Sequence, residues 1–336
     1  MKALPKKILL SMMDGISAPL VSTCFGNFCP IFMIHRVYEG GNGGHGHSTA
    51  YLSQCLQHLR AKKYNILSLA ELAQLIELKE EVPKRSVVFT TDDGFIDQAQ
   101  LGGALFSQYD APMTFFVISS FLDRQIWPWD DQVKYIINST KRSSIDTFYP
   151  SGDRLNVNLA FTQRERKTVY ELIRTTLKKQ AQSGVYDWLP KLFDAAEVEP
   201  PGKIPDDYLP MQWSDAQKLI NDGHSVAPHT KTHRILSQLD DSDSRSEILG
   251  SIETLANRLN GASNLFAYPT GRAIDYGSRE IDVLKNAGIQ SAVSTTAGAV
   301  GASSPQFELP RYPLPTNLNT FIQYLGAFEF LRSRWG

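Results

Sequence analysis

Short apolar runs rich in β-branched and aromatic residues alternate with stretches of helical period along most of the chain. The runs at 31–34, 65–67, 87–91, 113–118, 225–227, 265–268 and 290–294 predict strands. Between the first two, Leu52, Cys55, Leu56 and Leu59 recur at i, i+3, i+4 and i+7, which predicts an amphipathic helix opening near Ser48. A second helix is predicted from Ser214, where Ser214 to Gln217 reads as a capping box, and others at 278–287 and 318–332. Strand–helix–strand alternation implies parallel strands joined by crossover helices. The expected fold is therefore α/β, a distorted (β/α) barrel of seven or eight strands.

One stretch breaks the rhythm. Residues 121–210 show a helical run, a hairpin signal at Ser151-Gly152-Asp153, long helical patterns at 164–180 and 187–196, and a closing Pro200-Pro201-Gly202. Two readings stand: a mainly helical cap inserted beside the active site, or a lengthened barrel wall. The predicted organisation is an N-terminal segment, 1–30, followed by a barrel over 31–336 that carries this insertion.

Charge narrows the function. The 336-residue chain has 34 Lys and Arg against 35 Asp and Glu, so no field of one sign points to nucleic acid. Cys24, Cys29 and Cys55 are too few and too irregular for a disulfide framework and read as reduced thiols. Lys2, Lys6 and Lys7 precede an apolar run that Asp14 and Gly15 interrupt, shorter than a signal-peptide core or a membrane span. The expectation is a cytoplasmic protein without a transmembrane segment, residues 2–13 touching a membrane surface, with secretion as the alternative.

Three motifs carry chemistry. Thr90-Thr91-Asp92-Asp93-Gly94 ends a β-branched strand in two adjacent carboxylates, where barrel enzymes place catalytic groups. Their mutual repulsion is relieved when one binds a metal and the other stays free as a base; the sequence is also an ordinary turn. His229-Thr230-Lys231-Thr232-His233 places two imidazoles at i and i+4, on one face of a helical turn, able to reach one metal ion. With Asp93 they make a three-ligand set that leaves a zinc position open. Tyr268-Pro269-Thr270-Gly271 ends a third strand in a turn that lines a pocket.

In order and position these motifs resemble those of the polysaccharide deacetylases, the NodB-like members of carbohydrate esterase family four. The resemblance spans about residues 31–315, apart from the insertion, and implies a barrel of the NodB-homology type. It further implies one divalent ion, usually zinc, held by Asp93, His229 and His233, with Asp92 as general base toward the attacking water. The Thr270 backbone N–H would help to hold the oxyanion, and Tyr268 and Pro269 would line the substrate site. The implied reaction is hydrolysis of an N-acyl group, acetyl first, from an amino sugar of a surface polysaccharide or a lipid-linked glycan precursor.

Two departures from the family pattern matter. The motif-three arginine that positions the catalytic aspartate is replaced by Ala267; Arg311 is the candidate substitute, with a surface arginine as the other reading. No histidine follows His233 to serve as general acid. His35, in Ile34-His35-Arg36-Val37, resembles the early histidine of a permuted subgroup and is assigned that role against a buried structural one. Trp127 and Trp129 are placed either to stack on a sugar or to pack the insertion. His45 and His47 suggest a second metal site or a loop, His58 a solvated position, and His224 a packing or outer-shell residue.

Other functions use the same residues. Non-haem iron oxygenases share the ligand set but leave Asp92 without a role. A deformylase, a non-sugar amidohydrolase or an inactive carbohydrate-binding protein on this fold are the remaining alternatives.

Overall fold

The structure is a computed structural model that describes residues 27–40, 46–159, 162–326 and 329–330. The predicted N-terminal contact, Cys24, His45 and part of the predicted 318–332 helix lie outside these residues. The helix Leu318–Tyr324 is within them.

All seven predicted strands are present. Phe28–Ile34 pairs in parallel with Ser86–Thr91, which pairs with Thr114–Val117, which pairs with Ser225–Pro228. Asn65–Ile66 runs beside Ser86–Thr91, and Tyr312–Pro313 beside Phe28–Ile34. Leu265–Ala267 and Ser291–Val293 form a separate parallel pair. Ala299–Gly301 adds an antiparallel edge to Phe28–Ile34.

Period-two alternation sorts these strands into two layers of side chains. Ile31, Val88, Phe116, Ala227, Ala267 and Val293, one from each of six strands, share a single buried cluster. Their neighbours Phe32, Phe89, Phe115 and Val226 face outward and pack beneath Leu52, Leu56 and Leu59 of the helix Thr49–Ala61. Burial on both faces explains why the strand Ser86–Thr91 reads as an unbroken run in which every residue is buried. The hydrogen-bonded sheet does not close among the described residues. Ser225–Pro228 and Leu265–Ala267 share no ladder, though Ser263 N–H donates to Val226 O at 2.8 Å.

Helix starts follow local chemistry. Ser48 caps Thr49–Ala61 by accepting from Tyr51 N–H, as the sequence predicts. The capping box expected at Ser214 and Gln217 is displaced by two residues. The helix is Trp213–Asn221, and Asp215 accepts the Gln212 N–H at 2.8 Å, while Gln217 reaches Asn221 and Asn260. A carboxylate at the positive end of the helix outcompetes a neutral amide for that bond.

Between the paired strands Thr114–Val117 and Ser225–Pro228, the chain forms the helices Trp129–Ser139, Gln163–Leu177 and Val185–Ala195 and the hairpin Ser144–Phe148/Arg154–Asn158. They build their own apolar cluster around Trp129, Ile137, Ile145, Ile173, Trp188 and Leu192. The chain leaves the first strand at its carboxyl end, so this unit starts on the side where Asp93 and His229 sit.

Candidate active site

Parallel pairing brings three strand ends to one place. Register Ile34↔Thr91 sets His35 beside Asp92, and pairing through Thr114–Val117 to Ser225–Pro228 sets His229 two strands further on. Directly after its strand the chain turns through left-handed backbone at Asp93 (φ 86°) and Gly94 (φ 92°). A Cβ at Gly94 would come within 2.8 Å of Leu122 Cδ1, so only glycine fits beside the turned aspartate.

The turn aims Asp93 Oδ1 at two imidazoles, 3.7 Å from His229 Nε2 and 3.5 Å from His233 Nε2. The three ligand atoms lie within 4.8 Å of one another. The expected helical turn is absent: residues 229–233 form no helix. The imidazoles instead converge through left-handed backbone at Thr230 (φ 65°) and His233 (φ 59°), a conformation costly for non-glycine residues and concentrated at functional sites. His233 N–H donates to Thr230 Oγ1 at 3.1 Å and Thr232 N–H to Glu247 Oε2 at 2.7 Å, which fixes the loop.

This donor set fits a divalent metal. His229 Nδ1 lies 2.7 Å from Ala267 O, a carbonyl that can only accept, so Nδ1 carries the proton and Nε2 offers its lone pair. Burial lowers the pKa of both imidazoles, His233 to about 3, so both are neutral ligands. Burial raises the Asp93 carboxyl well above the usual range, and the charges of Asp92, Asp130 and Asp131 raise it further. A dication offsets that crowding of negative charge.

Asp92 is held differently. Burial would raise its pKa, but Arg311, His229 and His35 together hold it below the ordinary carboxylate range. Arg311 is fully buried and forks both Asp92 oxygens, at 2.7 and 2.8 Å. It also donates to Ser294 O and to Thr90 Oγ1. The motif-three position Ala267 is buried in the strand interior. His35 reaches solvent; the protein around it lowers its pKa from 6.5, against the pull of the Asp92 carboxylate.

The motif-three turn is knotted around Asp275, which accepts from Thr270 Oγ1, Arg272 N–H and the Arg272 guanidinium. Thr270 sits at φ 55°, and its backbone N–H has no partner among the described residues. Gly271 (φ 64°) lies against Thr295, where a Cβ would come to 3.1 Å. Tyr268 and Pro269 are buried. The Tyr268 ring stacks on Tyr276 at 3.7 Å and its hydroxyl donates to Phe307 O, so Tyr268 supports the turn from beneath.

The stacking expectation for the tryptophans finds no support in their surroundings. Trp129 is fully buried and Trp127 is 7% exposed, packed against Tyr135 and Tyr208, so neither offers a ring face to a sugar. His47 bonds Leu314 O at 2.9 Å and His224 bonds Ser107 Oγ at 2.9 Å, both as packing residues. Cys29 and Cys55 are buried free thiols. Asp130, Arg174 and Lys178 of the inserted unit also act on His233 and belong to none of the three motifs. Their one sequence signal is Trp127-Pro128-Trp129-Asp130-Asp131, two carboxylates in the first turn of a helix.

A polysaccharide deacetylase family model matches residues 161–292, the stretch that holds His229, His233 and the motif-three turn. Over that stretch the chain resembles the polysaccharide deacetylase family. The matched stretch lacks Asp92 and Asp93, which parallel pairing supplies. Among solved structures, the deacetylase PplD of Streptococcus pyogenes, in complex with acetate, shares 17% identity and a TM-score of 0.56, over 91% of this chain and 97% of that one. IcaB from Ammonifex degensii shares 13% and 0.55, over 89% and 96%. A de-N-acetylase from Aggregatibacter actinomycetemcomitans shares 11% and 0.55, over 89% and 100%. At these identities the likeness speaks for the shared fold. No curated protein matches the chain.

Proposed function

We propose that this chain is a member of the polysaccharide deacetylase family, a metal-dependent hydrolase that removes an N-acyl group, acetyl first, from an amino sugar of a polysaccharide or its lipid-linked precursor. The observation that carries the reading is one carboxylate, Asp92, held ionised by Arg311 beside the Asp93–His229–His233 donor set. Such a site needs a base and a metal ligand that are different residues, and this one has both.

In this reading Asp92 takes a proton from the attacking water as the C–O bond forms. Arg311 fixes the carboxylate's orientation and charge. The Thr270 backbone N–H donates to the carbonyl oxygen as negative charge develops there. As the C–N bond breaks, His35 passes a proton to the departing amine, and a carboxylate and an ammonium group result once the proton held by Asp92 has reset His35. A divalent ion, zinc by the donor set, would be held by Asp93, His229 and His233 and would supply Lewis acidity. The early position of His35 supports the permuted-subgroup reading. Residues 31–336 are read as the catalytic barrel, interrupted in hydrogen bonding after Ser225–Pro228, with 121–210 as its cap.

Acetate release from N-acetylglucosamine oligomers tests this, using zinc-reconstituted protein with Asp92→Asn alongside. Release that requires both zinc and Asp92 supports the reading. No release from protein that binds one zinc ion removes the acetylated amino sugar from it.

A further inference from the structure

The inserted unit reaches the His229–His233 loop at three points. Trp129 Nε1 donates to His233 O at 3.2 Å, and the Tyr186 hydroxyl donates to Thr232 O at 2.7 Å. Asp130, next to Trp129 in the first turn of its helix, places Oδ1 3.9 Å from His233 Nδ1. That nitrogen is buried and has no hydrogen-bond partner. Its counterpart on His229 is satisfied by Ala267 O. A metal-bound histidine needs its second nitrogen anchored, because the anchor fixes both the tautomer and the ring plane.

We infer that Asp130 is a positioning residue for the metal site: its carboxylate takes the Nδ1–H of His233 and so turns Nε2 toward Asp93. At 3.9 Å the pair lies about 0.7 Å beyond hydrogen-bond reach, a distance that rotation of the carboxylate can close. Asp130 is itself tethered, with Arg174 Nε of the helix Gln163–Leu177 at 3.5 Å from its Oδ2. Two helices of the inserted unit thus stand behind one ligand, while Trp129 and Tyr186 hold the backbone around it. The unit is accordingly part of the metal site and not a detachable cover.

The inference rests on the metal reading above, so the test has one arm without metal. Zinc affinity is measured by chelator competition for the wild type, Asp130→Asn and Asp130→Ala, with circular dichroism to confirm folding. Asp130→Ala is expected to weaken zinc binding about 10- to 100-fold. Asp130→Asn, whose amide oxygen still accepts, is expected to recover part of that loss. In the zinc-free protein, nitrogen-15 NMR of the His233 ring is expected to show the Nδ1–H tautomer, lost in Asp130→Ala and kept in Asp130→Asn. Unchanged affinity together with an unchanged tautomer overturns the inference. A wild type that binds no zinc overturns the metal reading, and the tautomer arm then still decides whether Asp130 anchors His233.

Discussion

Arg311 grips Asp92 through two parallel bonds, Nη1 to Oδ1 at 2.7 Å and Nη2 to Oδ2 at 2.8 Å, across 219 residues of sequence. Arg311 is 0% exposed and Asp92 3%, so water screens neither charge. Nε spends its hydrogen on Ser294 O, which leaves the guanidinium one orientation. The guanidinium holds the Asp92 carboxylate as Ala267, lacking a charge, cannot.

Removing one partner therefore strands the other. Arg311→Met leaves a buried, unpaired carboxylate, and breaking such a pair costs about 3–5 kcal/mol. Urea unfolding is expected to show that loss, and the double variant Arg311→Met/Asp92→Asn to recover most of it. Both variants are expected to be inactive. Arg311→Lys keeps the charge but loses the fork, so turnover is expected to fall further than stability. A double variant as unstable as the single one would place the cost in packing around Phe116, which the guanidinium also covers.

The strand ends were legible in the sequence because β-branched runs stop at residues whose chemistry differs abruptly from the runs themselves. Asp92, Asp93 and His229 sit where parallel strands must end together. The conformation of the His229–His233 segment was not legible. Two histidines four apart read as one helical face, yet the same distance is bridged here by left-handed backbone at Thr230 and His233, held by the bonds from Thr232 N–H to Glu247 and from His233 N–H to Thr230 Oγ1. The environment of the inserted unit was equally hidden. A Trp-Pro-Trp run looks the same whether its rings stack on ligand or fill a core. That Trp129 reports to His233 O depends on contacts more than 100 residues apart, 104 by its hydrogen bond.

Buried neutral histidines make the metal-free protein acid-sensitive in a defined window. The unfolded His233 takes up a proton near its ordinary pKa of 6.5, while the folded one resists to about 3. Between those values the unfolded state binds more protons, so stability is lost as pH falls, by about 1.4 kcal/mol per pH unit for one such group. Thermal or urea unfolding across this range is expected to give a flatter profile for zinc-free His233→Gln than for the wild type. Parallel profiles would mean that His233 is charged in the fold.

Metal binding is expected to release a proton from Asp93. Its carboxyl is raised by burial and by three neighbouring carboxylates, so it is protonated in the metal-free protein at pH values where an ordinary aspartate is ionised. The imidazoles, already neutral, release none above the low pH at which they protonate. Calorimetry of zinc binding in buffers of different ionisation enthalpy, below the Asp93 pKa, is expected to report about one proton, with affinity rising tenfold per pH unit. Two or more protons would show that an imidazole is charged before metal arrives.

His35 stands across from Asp92 by the register of its strand, and it is the histidine near Asp92 that is not part of the donor set. As the acid it must be protonated to act. The protein packed around it lowers its pKa from 6.5, so its contribution is lost as pH rises through a value below 6.5. His35→Gln is expected to lower kcat by about 10²- to 10⁴-fold, the usual contribution of a positioned general acid. It is expected to keep one zinc ion and the unfolding midpoint, because His35 reaches solvent and belongs to no ligand set. The profile of kcat/KM against pH separates this role from a merely structural one: the alkaline limb due to His35 should vanish in the variant. A variant that is slow yet keeps that limb would assign the limb, and the proton, to another group, with Asp131, raised to about 7 by burial and by Asp130, the next to replace.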